Sequence, residues 1–124
     1  MKKIVFLIFL LIGFKSFSQK LPNEFFADMW VDNQKKCELI GEAWTVEGGF
    51  YIAEIEEGKL SIFGFNHSFE VISVELVEDD FYRMDCYYLS GNKKSKKTIF
   101  LKVLNDKLLF KDGENIVEYI KCSV

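Results

Sequence analysis

The chain has 124 residues, with 19 acidic against 16 basic side chains and a formal net charge of −3; that length suits one domain, and the charge disfavours nucleic acid as a partner. One histidine and three widely spaced cysteines offer no zinc-binding pattern. Thirteen phenylalanines, five tyrosines, two tryptophans and a single proline favour strands over helices.

Met1-Lys2-Lys3 is a basic start before an apolar run over residues 4–14. That run is too short for the roughly 20 residues of a membrane-spanning helix and fits the apolar region of a secretory signal. Ser16 and Ser18 are small residues where a signal peptidase reads, so cleavage is expected between Ser18 and Gln19, with no cysteine there to carry a lipid. The expected organisation is a signal peptide over 1–18 and one domain over 19–124, periplasmic or secreted, without stable membrane insertion after cleavage. Loss of Lys2, Lys3 and Lys15 leaves 13 basic against 19 acidic residues and a net charge of about −6, so neither nucleic acid nor an anionic membrane is an expected partner.

Pro22 opens a short helical turn, and the Phe25-Phe26 pair after it is placed to plug an apolar opening. Residues 27–32 read as a first strand carrying Met29, Trp30 and Val31, and residues 32–36 as a polar break. A second strand is expected over 37–46, with Ile40, Trp44 and Val46 on one face and Gly41, Ala43 and Thr45 on the other. Gly48-Gly49 then turns the chain into a hairpin of residues 50–56 and 59–65 about Glu57-Gly58, with Ile52 opposite Phe63 and Ala53 opposite Ile62. In the strand 69–78 the apolar parity changes at Val71-Ile72, which predicts a β-bulge. Tyr82, Met84, Cys86 and Tyr88 line one face of the next strand, and residues 90–97 read as a long polar loop.

Residues 99–110 are the most legible stretch. A two-residue turn at Asn105-Asp106 sets Val103 opposite Leu108 and Leu101 opposite Phe110. Ile99, Leu101, Val103, Leu108 and Phe110 then share one face, while Phe100, Lys102, Lys107 and Lys111 fall on the other. Asp112-Gly113 leads into a last strand over 115–122.

About eight to nine strands joined by short turns give an all-β fold, an antiparallel up-and-down meander forming a small barrel whose closure removes exposed edges. Phe25-Phe26-Ala27-Asp28-Met29-Trp30, a turn leading to a tryptophan on the first strand, resembles the lipocalin (calycin-type) barrels. Their Gly-x-Trp pattern is altered here, since Ala27 stands three places before Trp30, and Lys121 is the nearest substitute for the arginine that packs on that tryptophan. The resemblance implies a lipocalin-like barrel with a small apolar ligand inside. Trp30, Tyr82, Met84, Tyr88, Leu101 and Phe110 are the candidate cavity-lining residues, and a core filled by the same side chains is the competing reading.

In a closed barrel the last strand returns beside the first, so Cys37 and Cys122 are expected to pair, leaving Cys86 free and buried; three reduced thiols is the alternative. His67 stands between Asn66 and Ser68 in a turn, with no nucleophile and carboxylate assigned to it, so no enzyme activity is expected. The acidic groups at Glu54, Glu56 and Glu57 and at Glu75, Glu78, Asp79 and Asp80 lack the alternating order of a calcium loop and read as solvated turns, so no metal or cofactor is expected. The composite expectation is a monomeric, exported binding protein for a small apolar ligand. The alternative is a periplasmic inhibitor or protein-interaction module that acts through exposed hairpin loops at residues 92–97 and 56–59.

Overall fold

A computed structural model describes residues 20–39 and 47–122 of the chain. The expected signal peptide over 1–18, its cleavage point, and residues 40–46 of the expected second strand lie outside the described residues. Eight strands are described: β1 (Met29–Val31), β2 (Gly49–Glu56), β3 (Lys59–Gly64), β4 (His67–Leu76), β5 (Tyr82–Ser90), β6 (Lys93–Leu104), β7 (Lys107–Asp112) and β8 (Asn115–Cys122). Each pairs antiparallel with its neighbours in sequence, and β8 returns to pair with β1, so the meander closes into an up-and-down barrel. This is the all-β barrel that the turn spacing predicts.

The β6–β7 hairpin has the expected register, Val103 opposite Leu108 and Leu101 opposite Phe110. Asn105 and Asp106 take φ of 53° and 62°, the left-handed pair that matches the twist of adjoining strands. The expected bulge on β4 is present, as a register shift between Val71 and Ser73 opposite β5.

Three expectations are corrected. First, residues 37–39 are not strand but the end of a 3-10 segment, Gln34–Leu39. Trp30 faces the barrel interior, so by alternation Met29 and Val31 face outward, and both are buried there in a small cluster with Cys122 that Cys37, Tyr51 and Ile120 pack against. The 3-10 segment after β1 lies against this outer apolar patch instead of pairing as a strand. Asn33 starts the turn, its side-chain oxygen accepting from the Lys35 N–H at 2.9 Å and its backbone carbonyl from the Lys36 N–H at 3.0 Å.

Second, the β2–β3 register is one residue away from expectation. Ile52 pairs with Ile62 and Ala53 with Ser61, because a bulge at Ile55 absorbs one residue before Glu56 pairs with Lys59. The bulge lets Phe50, Ile52 and Ile62 all enter the core and leaves Ile55 outside, 59% exposed. Third, residues 93–97 are strand and not loop; the β5–β6 turn is only Gly91-Asn92, and Lys93 already pairs with Ser90. Lysine is a poor strand former, but Lys94 and Lys96 hold their ammonium groups 4.5 and 5.9 Å from the Tyr87 ring centroid, and context of this kind overrides propensity.

The core runs along the barrel axis. Trp30, Met84, Ile99, Leu101 and Leu108 are fully buried at its centre. One end, with the turns after β2, β4 and β6, is closed by the 3-10 turn Asn23–Phe25, as the Phe pair implied: Phe25 is buried and meets Tyr82 edge-on at 5.3 Å. The Trp30 Nε1–H donates to the Phe25 carbonyl at 3.0 Å in this buried setting, which fixes the plug to the first strand. The disulfide Cys37–Cys122 is present, with Cα atoms 5.5 Å apart, and ties the segment after β1 to the end of β8.

Cys86 is the free cysteine, buried as expected. Burial, and then the Asp85 charge beside it, push its thiol up to about 12. It should resist iodoacetamide at pH 8 in the folded protein and react fully in urea. The unfolded thiol ionises near 9, so Cys86 contributes its full stability below that pH and loses it as pH rises from 9 to 12. Unfolding midpoints measured from pH 7 to 11 should therefore fall above pH 9, and Cys86→Ala should flatten part of that fall. The Tyr119 hydroxyl, also raised by burial and by Asp32, adds a slope of the same sign.

Candidate functional site at the open mouth of the barrel

The end opposite the Phe25 plug carries the short turns after β3, β5 and β7, and inward-facing residues near those strand ends remain partly accessible. Alternation puts Phe50 of β2, Phe69 of β4, Tyr88 of β5, Phe110 of β7 and Tyr119 of β8 on the inner wall, where they enclose a cleft of about 160 Å³ over Ile62. The rings support one another at angles suited to their quadrupoles. Phe50 meets Tyr119 at 4.8 Å and 81°, and Phe69 meets Tyr88 at 4.9 Å and 48°. Phe110 lies 5.9 Å from both Phe50 and Phe69, bridging the two pairs.

Three polar side chains complete the rim. Lys97 of β6 and Asp112 of β7 both point inward, since Lys97 pairs with buried Cys86 and Asp112 follows Phe110 by two residues. Their Nζ and Oδ2 atoms lie 2.6 Å apart across the mouth, and the Lys97 ammonium also stands 5.1 Å from the Tyr88 centroid. Each side chain is more than a third exposed, so the pair contributes no more than about 1 kcal/mol to stability.

His67 packs beside Tyr88 and Phe69, at 5.8 and 6.1 Å between ring centroids. Its Nδ1 lies 2.8 Å from the Phe65 carbonyl oxygen; a carbonyl only accepts, so Nδ1 carries the proton and Nε2 is the free acceptor in the neutral ring. Gly64 makes room for this ring, because a Cβ there would collide with Nε2.

The six cavity candidates divide. Tyr88 and Phe110 line the mouth. Trp30, Met84 and Leu101 lie in the closed core, and Tyr82 packs on the plug at the other end. The mouth adds Phe50, Phe69, Tyr119, His67, Lys97 and Asp112, none of which was singled out as a ligand contact from sequence. For Lys97 and Asp112 the signal was present: they continue the inward parity of Ile99 and Phe110 by two residues on each strand.

A second concavity of about 230 Å³ lies where β3 and β4 diverge, between Leu60 on one side and Val71 and Val74 on the other. Its wall includes Lys20, Leu21 and Phe26 of the segment before β1, so it is not formed by barrel strands alone. The mouth is enclosed by strands alone and is the better-defined site. Among the described residues no group of His, Cys, Asp and Glu is placed to hold a metal ion, and no helix is long and apolar enough to cross a membrane. Compared with known proteins, the chain matches no family model, no curated protein and no solved structure. Its class is accordingly set by its own geometry, a closed eight-stranded up-and-down barrel plugged at one end.

Proposed function

We propose that this chain is an exported binding protein that holds a small apolar ligand, about one ring in size, in the aromatic mouth of its barrel. The observation that carries the reading is the space left among Phe50, Phe69, Tyr88, Phe110 and Tyr119 above a filled core. Apolar cavities of about 150 Å³ admit a benzene-sized molecule, and the mouth offers about 160 Å³. Long-chain lipids are excluded, because Met84, Leu101 and Leu108 fill the barrel beneath the mouth.

A lipocalin-like relationship is part of this reading. The closed meander, the opening 3-10 turn and the tryptophan on β1 support it. Trp30 pairs across the sheet with Lys121, the position nearest to the arginine of the lipocalin pattern. Export is supported by the apolar run at residues 4–14 and by a disulfide, which persists in oxidising compartments. The site suits binding more than catalysis: Lys97 and Asp112 neutralise one another, and the His67 Nδ1–H is committed to a backbone carbonyl.

Titration calorimetry with toluene and indole tests the proposal. At a fraction of a kcal/mol per ligand atom, saturable binding is expected with Kd on the order of 0.1–1 mM and a negative heat-capacity change. Phe110→Trp fills the cleft and should weaken binding at least about tenfold while leaving the fold intact. Equal affinity in wild type and Phe110→Trp would place the ligand elsewhere.

A further inference from the structure

The barrel closes unevenly between β6 and β7. On one side β6 pairs with β5 from Lys93 to Leu101. On the other, pairing with β7 begins only at Phe100, opposite Lys111. Residues 93–98 are thus strand with one free edge, whose backbone donors and acceptors point to solvent. The comparable divergence of β3 and β4 is bordered by Leu21 and Phe26 of the N-terminal segment, whereas no described residue pairs with the β7 side of residues 93–98.

Four of those six residues are lysines, in a chain whose net charge is negative. Alternation sets Lys94 and Lys96 on the outer face, beside Tyr87, and Lys93 and Lys97 on the inner face. Tyr87 holds the two outer ammonium groups within 6 Å of its ring. Lys97 is paired with Asp112, and Lys94 reaches Glu70 only at 4.0 Å. Among the described residues neither Lys93 nor Lys96 has a carboxylate partner within ion-pair distance.

We propose that this edge is a docking strand for an extended acidic polypeptide segment, which adds to the sheet beside β6. Strand addition supplies main-chain hydrogen bonds, and the lysines supply selectivity. A strand laid along the edge presents side chains to both faces, and lysines wait on both, so carboxylates of either parity are met. The same lysines repel a second copy's β6 edge, which makes an acidic partner the fitting occupant. This inference does not depend on a ligand in the mouth.

The test is amide hydrogen exchange by NMR with three capped nonapeptides: alternating Glu and Val, the same peptide with Lys for Glu, and a Glu peptide with proline at every third position. The Glu-Val peptide should slow exchange of alternate amides within residues 93–98 by about tenfold or more at saturation. Its affinity should fall about tenfold between 50 and 300 mM salt, and the Lys and Pro peptides should have no such effect. Lys93→Glu with Lys96→Glu, both exposed positions, should abolish the response to Glu-Val and create one to the Lys peptide. Equal binding of the proline peptide, protection confined to other strands, or protection of 93–98 by a second copy without peptide would overturn the proposal.

Discussion

Trp30→Ala should lower the unfolding free energy by about 3–5 kcal/mol, one of the two largest losses expected here. Trp30 is fully buried and belongs to the core that joins the barrel wall to Leu21 and Phe25 of the N-terminal segment. A domain of this size has only about 5–15 kcal/mol to lose, so the variant should be marginal at 37 °C. Trp30→Phe separates packing from hydrogen bonding. It keeps much of the apolar volume but leaves the Phe25 carbonyl without its donor, at a cost of about 1–3 kcal/mol. Urea denaturation of both variants checks the account. A Trp30→Phe variant as stable as wild type would mean that the hydrogen bond does not hold the plug.

Breaking the Cys37–Cys122 disulfide should cost at least as much. The two residues lie 85 apart in sequence, and on the chain-entropy account a loop of that length is worth about 4–5 kcal/mol. Wild type in reducing buffer and Cys37→Ala in oxidising buffer should share one lowered denaturation midpoint, since Cys37 is only half-buried and its removal leaves little cavity. Cys122→Ala should fall lower still, because Cys122 is buried against Met29 and Val31. A midpoint unchanged by reductant would show that the closure of β8 on β1 holds without the staple.

Much of this fold was legible because alternation and turn chemistry are local signals. Asn105-Asp106 fixed the β6–β7 register, and the parity change at Val71-Ile72 located the bulge on β4. Barrel closure in turn implied the cysteine pair. What escaped depends on contacts between distant residues. Residues 37–39 looked like the start of a strand because the role of the 3-10 segment, covering Met29 and Val31 from outside, exists only once β8 has returned beside β1. Residues 93–97 looked like a loop because the support that Tyr87 gives Lys94 and Lys96 is a cross-strand matter. That misreading also hid half the mouth: with Lys97 placed in a loop, its inward parity and its pairing with Asp112 were invisible. The cavity candidates all lie on the inward face, but at different depths. Position along the barrel axis decides which aromatic side chains meet solvent, and that depends on strand stagger.

The central claim, a filled barrel with a one-ring site at its mouth, is tested most directly by following side-chain NMR resonances during titration with toluene and, in parallel, with palmitate. The account predicts saturable toluene shifts at Phe50, Phe69, Tyr88, Phe110 and Tyr119, and no response of Met84, Leu101 or Leu108 to either compound. Palmitate binding with large shifts at Met84 and Leu101 would contradict it, since those side chains would then line a cavity and not a core.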